Sequence, residues 1–253
     1  MKTIILANQK GGVAKTTTAV TLAEAFTETG KRVLLIDADP QCNTTATCGA
    51  VVEDQTTLYD VLLNGSPVTE AVQKSRVCDI VPCDGLLASA DMQLVKLGKE
   101  FLLKKALAPI RNDYDVCVID TTPALGILLI NALTAADEVV IPLTADTFSF
   151  DGLSQMLDTI RQVQEITNPG LHDPYFLLTR WSARTKLSRR CAEGLSEFAG
   201  TVGGRELPVK IRETVAVREA QEHRSGLLAY APRSTAAEDY RALASVLESE
   251  ASI

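Results

Sequence analysis

Lys10-Gly11-Gly12-Val13-Ala14-Lys15-Thr16-Thr17 stands between a β-branched run at 3–7 and a helical pattern at 16–29, and this junction decides the fold. Its glycines fall on a strand-to-helix turn, where backbone N–H groups and the positive end of the helix dipole bind phosphate. Gly11 and Gly12 let the backbone approach a phosphate without a Cβ in the way. Lys15 follows at a spacing that reaches β- and γ-phosphates, and the Thr16 hydroxyl is placed to ligate Mg²⁺.

Outward from this loop, short apolar runs at 3–7, 32–37, 77–82, 115–120, 138–143 and 175–179 read as strands. Their near-continuous apolarity implies burial on both faces, as in a parallel sheet covered by helices. Helical patterns at 16–29, 57–63, 95–110, 125–135, 150–166, 187–198 and 236–250 alternate with them. The layout is α/β, a doubly wound and mostly parallel sheet flanked by helices. The turn clusters at Pro169, Gly170 and Pro174 and at Gly200, Gly203 and Gly204 are too short for interdomain linkers, so 1–253 reads as a single domain.

Composition narrows the class further. A hydrophobic share of 46% over 253 residues is ample for a buried core. The longest apolar stretch, 124–136, is interrupted by Asn131 and Thr134 and falls short of the about 20 residues a membrane span needs. Gln9 and Lys10 cut short the N-terminal apolar run, so a signal peptide is not expected and the reading is cytoplasmic. Cys42, Cys48, Cys78, Cys83, Cys117 and Cys191 lack both the paired spacing of a zinc site and the density of a disulfide scaffold, which leaves reduced structural thiols.

Two further segments supply acids at strand ends. Val33-Leu34-Leu35-Ile36-Asp37-Ala38-Asp39-Pro40-Gln41 carries two carboxylates at i and i+2, pointing the same way from the C-terminal end of a strand. Tyr114-Asp115-Val116-Cys117-Val118-Ile119-Asp120 ends in an acid after four apolar residues, a Walker B pattern in which Asp120 holds the Mg²⁺ shell. Open α/β sheets place their ligands at such strand ends.

The standard phosphate-loop motif is not met, because Gln9 and Ala14 stand where its two glycines belong. With Lys10 before the glycine pair, the segment instead resembles the deviant Walker ATPases of the ParA/MinD family, in the Ala-Asn-Gln-Lys-Gly-Gly version of ParA-type (Soj-like) partition proteins. Ala14 replaces the commoner glycine and is expected to keep a negative φ. The resemblance implies an ATPase using ATP and Mg²⁺, slow without a partner. It makes Asp39 the residue that positions the attacking water and helps organise Mg²⁺, sets Asp37 behind the loop near Lys15 and Thr16, and makes Thr121-Thr122-Pro123 the second switch. Catalytic roles thus fall to Lys10, Lys15 and Asp39, and metal contacts to Thr16, Asp39 and Asp120. Nucleotide contacts run from Lys10 to Thr17 with Asp37 and Asp120. Lys10 is expected to act in trans, each subunit of an ATP-dependent homodimer placing it against the partner's phosphates.

The resemblance continues through Leu177-Leu178-Thr179-Arg180, the segment 211–220, Tyr230-Ala231-Pro232-Arg233-Ser234 and Ala237-Glu238-Asp239-Tyr240, and so covers nearly the whole chain. In many relatives the second of these carries Ile-Pro-x-Asn at the adenine pocket; here Arg212 and Thr214 occupy the Pro and Asn positions and become the candidate adenine contacts. Between 180 and 224 there are ten basic and six acidic residues, +4, against −11 for the remainder and −7 overall. Arg180, Arg184, Lys186, Arg189 and Arg190 form its densest part, and relatives bind DNA without sequence preference through such residues, by neutralising phosphates.

The functional expectation is a DNA partition ATPase, nucleoid-associated, that dimerises on ATP and is stimulated by a ParB-like protein. With no DNA-binding domain before Lys2, operator-specific autorepression is not expected. A ParA-like ATPase that positions a protein cargo shares every motif. A MinD-like membrane-cycling regulator needs a basic amphipathic C-terminus, whereas 244–253 is acidic and lacks aromatics. A metabolic phosphate-loop enzyme would turn ATP over in response to a small substrate and not to DNA.

Overall fold

Alternate residues of each central strand divide between two cores. Ile5, Leu34, Ile36, Cys117, Ile119, Val139 and Ile141 face one, and Ile4, Leu6, Val33, Leu35, Val116, Val118 and Val140 face the other. This is the period of two expected of a strand buried on both faces. The computed structural model describes residues 1–145 and 150–251. Among them the strands β1 (Lys2–Leu6), β2 (Val33–Ala38), β3 (Gln73–Lys74), β4 (Asp79–Val81), β5 (Val116–Thr121), β6 (Glu138–Thr144), β7 (Tyr175–Thr179) and β8 (Arg205–Glu206) form one sheet. Its order is β3-β4-β2-β5-β1-β6-β7-β8. Every pairing is parallel except the short β3–β4 hairpin.

One face of the sheet is covered by the helices Lys15–Glu28 and Thr235–Ala251, which bury Ala19, Leu22, Phe26, Tyr240, Leu243 and Leu247. The other is covered by Leu102–Leu107, Ile127–Ala135, Phe150–Ile166 and Lys186–Val202, through residues such as Leu103, Leu129, Met156 and Leu195. The doubly wound layout is therefore present. No helix of the described residues is long and apolar enough to cross a membrane.

Local expectations are corrected where backbone chemistry intervenes. The helix expected at 95–110 breaks at Gly98, whose φ of 74° is left-handed, and continues as a 3₁₀ turn, the helix Leu102–Leu107 and a second turn containing Pro109. That expected at 57–63 is one π-type turn, Asp60–Asn64. Short elements absent from the sequence reading include the helices Asn43–Cys48, Val215–Glu222 and Leu227–Tyr230 and the strands β3 and β8. At 252–253 the acidic C-terminal segment lies outside the described residues.

Candidate functional site

Parallel pairing brings the acids together. β5 lies between β2 and β1, with Asp37 opposite Asp120 in one register and Leu6 opposite Asp120 in the other. The chain leaving β1 forms the Gly11–Ala14 turn over these strand ends and enters the helix Lys15–Glu28. Several polar contacts hold that turn. Asn8 Nδ2 donates to Pro142 O at 2.7 Å, and Asn8 Oδ1 accepts from Lys10 N at 2.9 Å. The Thr179 hydroxyl donates to Val13 O and Leu143 O, each at 3.1 Å, tying the loop to β6 and β7.

Ala14 departs from expectation. It has φ 70° and ψ 29°, a left-handed conformation, rather than a negative φ. Its carbonyl accepts from Thr18 N at 2.9 Å, which closes the first helical turn and fixes the backbone at Ala14. A non-glycine residue there costs about 1–2 kcal/mol. Ala14→Gly is accordingly expected to raise stability by about 1 kcal/mol, read as an upward shift of the urea midpoint at unchanged slope.

Lys15 is buried, with its ammonium 3.3 Å from Lys10 O. Burial lowers its pKa, and the charges of Asp120 and Asp39 oppose the shift. Thr16 Oγ1 donates to Asp120 Oδ2 at 2.7 Å, and Thr44 Oγ1 donates to the same oxygen at 2.8 Å. Among the described residues no donor reaches the buried Asp120 Oδ1. Burial raises the Asp120 pKa, with the Thr16 and Thr44 hydroxyls opposing it and Asp39 adding to it. An oxygen-donor set of Thr16, Asp39 and Asp120, with one buried carboxylate oxygen unsatisfied, fits a hard divalent cation such as Mg²⁺.

Asp37 accepts from Thr45 N at 2.8 Å, Thr45 Oγ1 at 2.7 Å and Asp39 N at 3.2 Å. Its pKa is raised by burial and then by Asp120. These hydrogen bonds go to the segment after β2, not to Lys15 or Thr16, so Asp37 shapes the turn that carries Asp39. Asp39 Oδ1 accepts from Gln41 N at 3.0 Å, and Asp39 O accepts from Cys42 N at 2.8 Å. Lys10 is exposed at the mouth of the loop.

A cavity of about 900 Å³ opens over this cluster, lined by Gly11, Gly12, Lys15, Thr16 and Asp39 together with Val217, Gln221 and Tyr240. Arg212 and Thr214 line it too, and each also makes contacts within the fold. The Arg212 guanidinium holds Asp239 in a two-nitrogen fork, with contacts down to 2.7 Å, and reaches Glu238 at 3.3 Å. The Thr214 hydroxyl accepts from Ala216 N and caps the helix Val215–Glu222. Residues that the sequence reading missed include Asn8, Thr44, Thr45, Thr179 and Gln221. The threonine pair after Pro40-Gln41 was a usable signal, whereas Thr179 and Gln221 reach the loop from far along the chain.

The basic candidates divide. Arg180, with φ 51°, lies on the rim of the nucleotide-sized cavity and pairs with Glu213 at 3.2 Å. Arg184, Lys186, Arg189 and Arg190 are exposed together at the start of the helix Lys186–Val202. All six cysteines are free thiols.

Comparison with known proteins matches residues 1–172 to a family model described as an AAA domain. The sporulation initiation inhibitor protein Soj of Bacillus subtilis is 40% identical over 248 residues, 96% of each chain. The chromosome partitioning protein ParA of Caulobacter vibrioides is 36% identical over 96% of this chain and 92% of its own. The chain belongs to the ParA/Soj family of partition ATPases. Among solved structures related to this ParA/Soj chain, the cobyrinic acid a,c-diamide synthase of Mycobacterium smegmatis with bound ATP analog and magnesium superposes with a TM-score of 0.83. It is 34% identical, covering 100% of this chain and 97% of its own. The Cyanothece McdA(D38A)-ATP complex also has a TM-score of 0.83, at 27% identity over 98% and 96% of the two chains.

Proposed function

We propose that this ParA/Soj-family chain, 1–253 acting as one domain, binds and hydrolyses Mg²⁺-ATP, and that the nucleotide switches it between a monomer and a DNA-bound dimer. One observation carries the reading: a phosphate loop and the only buried lysine among the described residues meet a divalent-cation donor set whose Asp120 Oδ1 is unsatisfied. The backbone N–H groups from Gly11 to Thr17 cradle the phosphates, Lys15 neutralises charge on the β- and γ-phosphates, and Thr16, Asp39 and Asp120 hold the cation. Bound there, Mg²⁺ would neutralise the charge that develops on the phosphates. Asp39, fixed through Asp37 and Gln41, orients the attacking water. Positioning and charge stabilisation are nearly all that phosphoryl transfer asks of a protein, so slow basal turnover that rises with a ParB-like activator is expected.

DNA binding is assigned to Arg184, Lys186, Arg189 and Arg190. Cations in a first helical turn oppose the helix dipole, a cost that a phosphate anion bound at the same place reverses. Replacing Arg189 and Arg190 together with alanine is expected to weaken DNA binding in the ATP state and to reduce the slope of log affinity against log salt by about 2. Binding that is absent from the parent protein, or insensitive to salt, would refute the assignment.

ATP hydrolysis measured with and without DNA and the product of the neighbouring gene tests the whole reading, with joint stimulation expected. The likeness to the Mycobacterium smegmatis protein favours a second reading, a small-molecule synthase that consumes ATP. ADP release that depends on a carboxylate substrate and ignores DNA would select it.

A further inference from the structure

One wall of the nucleotide-sized cavity is the helix Val215–Glu222, from which Val217, Arg218 and Gln221 line the space. Upstream of this helix, Arg212 and Thr214 also line the cavity, with Arg212 Nε and Nη2 bound to Asp239 and the Thr214 hydroxyl accepting from Ala216 N. Gln221 behaves differently. Its Nε2 donates to Thr17 Oγ1 at 2.8 Å, reaching the helix that carries the phosphate loop. A carboxamide has two N–H donors and an acceptor oxygen. The bond to Thr17 uses one donor and leaves the other, with Oε1, to meet a ligand in the cavity.

That remaining pair matches one purine. A glutamine amide reads the adenine edge by accepting from N6 and donating to N7, whereas guanine offers acceptors at both O6 and N7. Oε1 set against guanine O6 places two acceptors together. We propose that Gln221, held by Thr17, selects adenine over guanine nucleotides by pairing with N6 and N7 of the base. The proposal rests on the reading of the cavity as a nucleoside triphosphate site, and it assigns base recognition to a side chain outside the 212–214 segment.

Competition binding of ATP, GTP and 7-deaza-ATP to the full chain in Mg²⁺ tests it. The parent protein is expected to prefer ATP to GTP, and to bind 7-deaza-ATP several-fold more weakly because N7 is gone. Gln221→Ala should lower the ATP-to-GTP affinity ratio by roughly 10-fold or more and bind ATP and 7-deaza-ATP alike. Gln221→Glu keeps the acceptor for N6 and loses the donor for N7, so the preference over GTP should survive while discrimination against 7-deaza-ATP disappears. This isosteric variant also guards against misfolding of the alanine variant. Equal weakening of all three ligands, with unchanged ratios, would show a merely structural role and overturn the proposal, as would a parent protein that prefers GTP. Failure of the parent to bind any of the three would overturn the nucleotide reading itself, and the proposal with it.

Discussion

Asp120→Asn is expected to lower Mg²⁺-dependent ATP turnover by about three orders of magnitude, the scale of losing one principal charge-stabilising group, without destabilising the nucleotide-free chain at pH 8. Asp120 is fully buried, and burial pushes its carboxyl up to about 6 despite the hydroxyls of Thr16 and Thr44. Neighbouring Asp37, facing the same burial and the charge of Asp120, is pushed up to about 7. A carboxyl whose folded pKa is raised keeps a proton that the unfolded chain has already released. The apo protein therefore loses stability as pH climbs from the ordinary carboxylate value of about 4 towards these raised values, and the penalty is full at pH 8. Asparagine keeps the volume and an acceptor for the two hydroxyls while removing the charge. Thermal unfolding at pH 5 and pH 8 should show a smaller loss for Asp120→Asn than for the parent, and Mg²⁺-ATP should stabilise the parent alone. A variant that unfolds readily at pH 8 would mean that the Asp120 charge supports the fold.

The outline of the sheet was legible because each central strand is buried on both faces, which leaves an unbroken apolar run such as Val33-Leu34-Leu35-Ile36. Asp37, Asp39 and Asp120 were legible for the same reason, as acids that end such runs. Short elements were not. The first turn of the helix Asn43–Cys48 carries two threonines, Thr44 and Thr45, whose hydroxyls serve Asp120 and Asp37, so its polar composition answers the site and hides the helix. Val215–Glu222 buries little of itself and is defined by the Thr214 cap and by contacts such as Gln221 to Thr17. Ala14 shows the limit of local propensity, since the sequence suggests negative φ and the loop imposes 70°. Contacts made by Lys10, Val13 and Thr18 with Asn8, Thr179 and Ala14 O hold the turn, and alanine carries the strain.

Lys10 and Lys15 lie five residues apart in one loop, and their substitutions should fail in different ways. Lys15 is buried, points back to Lys10 O, and has Asp39 and Asp120 as its opposing charges. Lys15→Ala removes the cation against the phosphates and leaves those acids uncompensated. ATP binding to the monomer should weaken by at least about 100-fold, the order of losing one charged contact in a desolvated site. Lys10 is exposed, while the backbone N–H of the same residue is fixed by Asn8. Lys10→Ala keeps that N–H, so ATP binding to the monomer should change little. If Lys10 acts across a subunit interface, however, the ATP-dependent dimer should vanish, and with it DNA binding and hydrolysis. Light scattering and nucleotide titration on the two variants separate the roles. A Lys10→Ala protein that still dimerises with ATP refutes action in trans, and one that loses monomer binding as Lys15→Ala does would place Lys10 in its own subunit's pocket. The expected split follows from burial: a desolvated cation acts on the phosphates beside it, and an exposed one gains full strength only when a second subunit excludes water around it.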